Sequence, residues 1–286
     1  MKLTGTKIAE LYQKIQKQRP IIHCITNAVT VNDCANILLA AGASPTMAHH
    51  PLEAAEITGG STSLVCNFGA ICDYEAMLSA GKRAKELGHA IIVDPVGVSG
   101  STYRREQALS FIREVHPTCI RGNYSEIRAL LSNCSTVTGV DASQREQDIS
   151  RQEALVTAMQ QYAGREKIIL IASGKTDLIT DGTETFFCEN GDPMMAKITG
   201  SGCMSSAMLG AFLGIEPSVE SAAACCAFMG IAGEMAAERT KELSGGTMTF
   251  RDQMIDAVSF INEDVLEARG RVEEENRFCK IQTKTY

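Results

Sequence analysis

The run Ile198-Thr199-Gly200-Ser201-Gly202-Cys203-Met204 sets a glycine-rich turn directly ahead of a small-residue, helix-forming stretch that continues through Ala211. A helix starting there aims its unpaired backbone N–H groups, and the positive end of its dipole, into the turn, where an anion such as phosphate is favoured. Gly200 and Gly202 lack the side chains that would hold a phosphate off the main chain, and the sulfur of Cys203 can point into the same place. Gly200, Ser201, Gly202 and Cys203 therefore read as an anion hole with a titratable group beside it. A free thiol titrates near about 8.5, and lower at a helix N-terminus, so Cys203 is expected to be partly thiolate at neutral pH. A plain helix start after a flexible loop has the same letters, so the rest of the chain must decide.

In open α/β sheets ligands bind beyond the carboxyl ends of the strands, which makes each strand exit a candidate position. Ile91-Ile92-Val93-Asp94-Pro95-Val96-Gly97 puts a carboxylate at one exit. Asp94 there can hold Mg²⁺ through water, or simply open an Asp-Pro turn. Ile120-Arg121-Gly122-Asn123-Tyr124-Ser125-Glu126 is a second exit running into a helix. Arg121 offers a planar, permanently charged fork suited to phosphate, while Asn123 and Glu126 have capping-box spacing. At the third exit, Ile171-Ala172-Ser173-Gly174-Lys175-Thr176-Asp177, the Ser173 hydroxyl can reach a nucleotide phosphate or be a turn residue. Gly-Lys-Thr resembles the end of a phosphate-binding P-loop, but that motif needs glycine at position 169, which is Ile169, so a P-loop is rejected.

The elements that position these residues follow from hydrophobic periodicity. Short apolar runs at 21–24, 63–66, 90–93, 118–120 and 168–172 predict buried strands. Helical patterns cover 7–17, 31–41, 51–58, 73–87, 105–115, 125–131 and 152–162, and the alternation predicts a mostly parallel sheet covered on both faces. A hairpin over 178–189 turns at Asp181-Gly182. The last third reads as helical, with an alanine-rich buried helix over 221–238 whose apolar run is too short for a membrane span of about 20 residues. Polar residues 143–151 read as a mobile loop.

A chain of 286 residues can bury a full core, and the expectation is a single domain over 1–286. Hydrophobic content of 44% with 21% charged residues excludes disorder as the dominant state. The net charge of -7, with no basic cluster to offset it, argues against a nucleic-acid partner. Eleven cysteines without paired spacing, and an N-terminus rich in lysine without an apolar core, predict a reduced cytoplasmic protein with no secretory signal.

The glycine turn ahead of Cys203 resembles the anion hole of ribokinase-like small-molecule kinases. Six segments in order then resemble the hydroxyethylthiazole kinases: His23-Cys24-Ile25-Thr26-Asn27, Ser44-Pro45-Thr46-Met47, Asp94-Pro95-Val96-Gly97, Arg121-Gly122-Asn123 with Glu126, Ser173-Gly174, and Thr199-Gly200-Ser201-Gly202-Cys203. The resemblance implies a ribokinase-like α/β fold. It also implies ATP-dependent phosphorylation of the primary alcohol of 4-methyl-5-(2-hydroxyethyl)thiazole, a salvage step toward thiamine. By position, it has Met47 and Gly200 contact the thiazole with Asn27 beside it, Arg121 and Ser173 bind ATP, and Cys203 act as base. Asp94 and Glu126 would serve Mg²⁺ and the triphosphate, and the assembly would be a homotrimer with the substrate pocket between subunits. Position 173 departs from the commoner threonine but keeps the hydroxyl. Taken alone, Met47 would be a core gap-filler, and His49-His50 reads as a surface turn.

A hydroxymethylpyrimidine or pyridoxal kinase of the same superfamily can share the Gly-x-Gly-Cys ending, but its glycine-rich N-terminal substrate segment is missing from residues 21–32. A non-catalytic nucleotide sensor, or a ribokinase-like hydrate dehydratase, is the other alternative. A dead sensor has no need of Asp94, Asn123, Glu126 and Cys203 together.

Overall fold

The computed structural model describes residues 3–132 and 144–274, with the backbone alone over 144–150. In chain order the helices are α1 (Gly5–Gln18), α2 (Val31–Ala40), α3 (Ala54–Gly59), α4 (Tyr74–Leu87), α5 (Thr102–Val115), α6 (Tyr124–Leu131), α7 (Gln144–Glu166), α8 (Ser201–Ile215), α9 (Val219–Glu242), α10 (Thr247–Phe260) and α11 (Glu263–Arg269). The strands are β1 (Ile21–Ile25), β2 (Ser44–Thr46), β3 (Ser63–Asn67), β4 (Ala90–Asp94), β5 (Cys119–Asn123), β6 (Ile169–Ser173), β7 (Asp177–Thr180), β8 (Thr185–Cys188) and β9 (Val272–Glu274). They form one sheet in the order β2-β1-β3-β4-β5-β6-β7-β8-β9.

Strands that are apolar at nearly every position must be covered on both faces, and the period of two divides their side chains between two cores. Ile22, Cys24, Val65, Ile92 and Ile171 pack under α1, α2 and α8 to α10. Ile25, Leu64, Ile91, Val93 and Leu170 pack under α3 to α7. The six strands from β2 to β6 run parallel and β7, β8 and β9 antiparallel. The predicted hairpin is present: Asp181 Oδ1 accepts from the amides of Thr183 at 2.7 Å and Glu184 at 2.8 Å, and Gly182 takes the left-handed φ of 90° that the turn requires.

Two expectations need correction. The segment 143–151 is not a loop: α7 begins at Gln144, while Ser143 lies outside the described residues. The last third is not wholly helical, because β9 closes the far edge of the sheet.

Helix α8 is buried on nearly every side. A Cβ at Gly210 would lie 2.7 Å from Ile22 Cγ2 and 2.8 Å from Val65 Cγ2, so the helix axis runs directly against β1 and β3, and the Ser63 hydroxyl donates to the Gly210 carbonyl at 2.7 Å. Helix α9 is long and apolar enough to cross a membrane by length and composition, but 83% of that apolar window is buried inside the protein, as in a core helix. The nine described cysteines are free.

Candidate active site

The amino end of α8 supplies the main-chain part of the site. Gly200 caps the helix at φ 96°, and a Cβ there would sit 2.9 Å from Thr30 Cγ2. The first helical bond runs from Met204 N to Gly200 O at 2.8 Å. The amides of Ser201, Gly202 and Cys203 precede it, and find no acceptor among the described residues. The Ser201 hydroxyl turns away and donates to the Met195 carbonyl at 2.7 Å, leaving its amide as its contribution to the anion hole. At Gly202 an added Cβ meets nothing nearer than an Arg121 guanidinium nitrogen at 3.4 Å. The steric demand for glycine therefore falls on Gly200.

The strand exits converge on this helix end. Asn67, at the end of β3, donates through Nδ2 to Asp94 Oδ2 at 3.0 Å and to Cys203 Sγ at 3.3 Å. Asn27, just beyond β1, donates to the same sulfur at 3.5 Å and to Asn67 Oδ1 at 3.3 Å. Ser206, one turn into α8, donates to Asp94 Oδ2 at 2.8 Å. Arg121 crosses from β5 and donates to the Gly202 carbonyl at 3.0 Å. Burial pushes the buried Asp94 carboxyl up to about 6, against the lowering pull of Arg121 and Ser206.

Cys203 departs from the sequence-based expectation. Its thiol is raised, first by burial and then by the Asp94 charge, with hydrogen bonds from Thr30, Asn27 and Asn67 acting in the opposite direction. The helix dipole alone would lower it, but the sulfur lies in a pocket where desolvation and a carboxylate outweigh that field.

Asn123 and Glu126 form the full capping box of α6. Asn123 Oδ1 accepts from the amides of Ser125 and Glu126, both at 3.0 Å, and Glu126 Oε2 accepts from the Asn123 amide at 2.9 Å. The other Glu126 oxygen accepts from Gly97 N at 3.0 Å, which fastens the Asp-Pro-Val-Gly segment to α6. Among the described residues no three His, Cys, Asp or Glu side chains gather as a metal cage. The carboxylates of Asp94 and Glu126, which are close enough for the Glu126 charge to raise Asp94, suit a hydrated divalent cation better than a caged one.

A cavity of about 740 Å³ opens on the far side of the α8 end, within the usual size of a small-molecule site. Its lining includes Arg121, Ser173, Ser201 and Gly202 and, among apolar side chains, Leu209 and Met229. Ser173 donates to the Gly122 carbonyl at 3.2 Å. Asp177 also lines the cavity, its carboxyl pushed up to about 6 by burial and eased by the Arg121 charge and the Gly174 amide. Asn27, Asp94 and Cys203 are not among its lining residues. Met47 follows edge strand β2 and, like Cys203, packs against the α8 core. His49 and His50 are exposed, and lie just ahead of the turn over 51–53 rather than within it.

Sequence reasoning did not single out Asn67, Ser206 or Asp177. Asn67 was within reach, since it is a polar residue at a strand exit of the same kind as Asp94. Ser206 sits three residues after Cys203, but only the packing direction of α8 points it at Asp94.

A mostly parallel sheet whose exits face the glycine-capped end of a buried helix is the architecture of the ribokinase-like kinases. The pyridoxal kinase from Staphylococcus aureus in complex with AMP-PCP and pyridoxal shares it at a TM-score of 0.51 and 15% identity over 75% of this chain and 87% of that one, a likeness of fold alone. The model of the hydroxyethylthiazole kinase family matches residues 12–264. The chain is 38% identical over 274 residues to the hydroxyethylthiazole kinase of Clostridium botulinum strain Eklund 17B, spanning 95% of this chain and 98% of the relative. It is 39% identical over 280 residues to hydroxyethylthiazole kinase 1 of Methanosphaera stadtmanae, spanning 94% and 98%. The solved hydroxyethylthiazole kinase of Pyrococcus horikoshii OT3 superposes at a TM-score of 0.82 with 30% identity, over 94% of this chain and 99% of that one. The chain belongs to the hydroxyethylthiazole kinase family.

Proposed function

We propose that this chain transfers the γ-phosphoryl group of ATP to the primary alcohol of 4-methyl-5-(2-hydroxyethyl)thiazole. It acts as a single kinase domain over 1–286, in thiamine salvage in the cytoplasm. The observation that carries the reading is the row of unpartnered amides at Ser201, Gly202 and Cys203, set between the large cavity and the Asn27–Asn67–Cys203 cluster. ATP would lie in the cavity with its phosphates toward Arg121 and Ser173. The thiazole would lie across the turn, against Met47 and Gly200 and beside Asn27.

Phosphoryl transfer through a loose transition state asks mainly for alignment and charge stabilisation. The three amides meet the developing charge on the transferring group, and such preorganised donors are worth about 3 kcal/mol each. Asp94 and Glu126 would hold Mg²⁺, which would supply neutralisation of the phosphate charge. Cys203 takes up the alcohol proton. Because its thiol is raised, the ionised form is scarce and correspondingly basic, and its contribution is modest, at most about 100-fold.

The relatives' names do not favour the pyrimidine, pyridoxal or sensor alternatives. The test is ADP release in a coupled assay with Mg²⁺ and, in turn, the thiazole alcohol, hydroxymethylpyrimidine and pyridoxal. Turnover is expected with the thiazole alcohol and at background with the others; nucleotide binding without turnover would favour the sensor.

A homotrimer fits the surface around the substrate segments. Val29, Leu39 and Leu52, on segments that adjoin β1 and the edge strand β2, are 75%, 57% and 89% exposed.

A further inference from the structure

His23 lies within β1 and is fully buried, with both ring nitrogens partnered. Nε2 is 2.7 Å from the Ala48 carbonyl oxygen, and Nδ1 is 2.8 Å from Thr58 Oγ1. A carbonyl only accepts, so Nε2 must carry a proton and donate it to Ala48. Burial holds the imidazole pKa below its usual value, partly offset by the Ala48 bond and the Glu53 charge. The ring is then neutral near pH 7, and Nδ1 faces the Thr58 hydroxyl of α3, whose one proton is shared between Nδ1 and the Ala54 carbonyl, also 2.8 Å from Thr58 Oγ1.

The bond to Ala48 matters because of what precedes that residue. Strand β2 is three residues long, lies at the sheet edge and contains Pro45, which has no N–H to give to a ladder. Its pairing with β1 ends at Thr46, opposite His23 itself. Met47 is the next residue, and Ala48 the one after. The main chain carrying Met47 thus leaves the sheet where its backbone pairing stops, and the His23 ring catches it from the neighbouring strand.

We infer that His23 is a positioning residue for the thiazole alcohol, its Nε2–H holding the Ala48 carbonyl so that Met47 is fixed on the substrate side of the Gly200 turn. The inference rests on the reading of Met47 as a thiazole contact. His23 touches neither reactant, and its removal loosens one substrate and leaves the nucleotide alone.

Steady-state kinetics of full-length His23→Leu, His23→Gln, His23→Asn and Met47→Ala test this, with thermal melts to establish folding. The glutamine amide can put a donor near the Nε2 position, whereas the shorter asparagine cannot. His23→Leu and His23→Asn are expected to raise the thiazole KM about tenfold, with kcat and the ATP KM within about twofold of the parent, and His23→Gln to recover most of the loss. The inference is overturned by a folded His23→Leu with unchanged thiazole KM, by equal losses for both substrates, or by asparagine rescuing as well as glutamine. Should His23→Leu not fold, the glutamine-against-asparagine comparison still decides. If Met47→Ala raises the thiazole KM while the His23 variants do not, the tie alone is wrong. If Met47→Ala leaves that KM unchanged, the placement of the thiazole is wrong and this inference goes with it.

Discussion

At the scale of single residues, a buried carboxylate hydrogen-bonded to Asn67 and Ser206 sits where ionisation is costly. Asp94 is pushed to about 6 and so is protonated over a range in which an exposed aspartate would be charged. A carboxyl raised in the folded state adds stability below its unfolded pKa of about 3.9, and that contribution is lost as pH rises through the folded value. With the proposed role of Asp94 at Mg²⁺, activity would run the opposite way, because a neutral carboxyl would not hold a cation. We expect kcat/KM to fall about tenfold per unit below pH 6, and Asp94→Asn to lower kcat at least about 100-fold at pH 7.5 while its melting temperature stays level or rises. An Asp94→Asn protein with parental turnover would remove Asp94 from the reaction. At the other limb, raised Cys203 predicts activity still climbing at alkaline pH; Cys203→Ala should retain measurable turnover, within about 100-fold of the parent, and lose that climb. Strand-exit chemistry singled out Asp94, Arg121 and Ser173, and the structure sets Arg121 and Ser173 in the cavity lining and Asp94 against Asn67 and Ser206. The thiol's direction of shift was not legible in the sequence, because it depends on how deeply α8 buries the sulfur and on a carboxylate more than a hundred positions away.

At the scale of elements, the amino end of α8 does the positioning, and its two glycines are not equivalent. Gly200 has a left-handed φ and a Thr30 methyl 2.9 Å from where a Cβ would go, whereas Gly202 is helical with room for a methyl group. Gly200→Ala should lose about 1–3 kcal/mol of stability and most of its turnover, and Gly202→Ala should melt within a few degrees of the parent. Equal melting temperatures for the two would overturn this assignment, with steady-state kinetics on the same samples giving the loss of rate. Five-residue apolar strands such as β3 and β4 were readable from composition alone, since burial on both faces needs nothing beyond a continuous run. Edge strands β2 and β9 were not: three residues carry no periodicity, and they exist because a neighbouring edge offers partners. Helix α7 was read only over 152–162 because its sequence offers a single apolar residue, Ile149, before Ala154, and so no periodicity to follow there.

At the scale of the whole molecule, a net charge of -7 per chain opposes self-association, so a trimer must be held by apolar contact. Three of the exposed large apolar residues belong to segments that adjoin β1 and the edge strand β2 in the chain. Val29 precedes α2, Leu39 lies on it, and Leu52 follows the Met47 segment. An unpaired edge beside exposed aliphatic side chains is what a lone subunit usually protects, and in an assembly both are covered together. Leu52→Asp puts a further negative charge at the most exposed of the three. In light scattering coupled to size exclusion the parent is expected as a trimer and Leu52→Asp as a smaller species at low micromolar concentration. If the substrate pocket is completed by a neighbour, the variant's thiazole KM should rise severalfold on dissociation, and recover at high protein concentration or with added salt, which screens the new charge. A parent that elutes as a monomer while turning over the thiazole alcohol at full rate would mean that each chain builds its pocket alone.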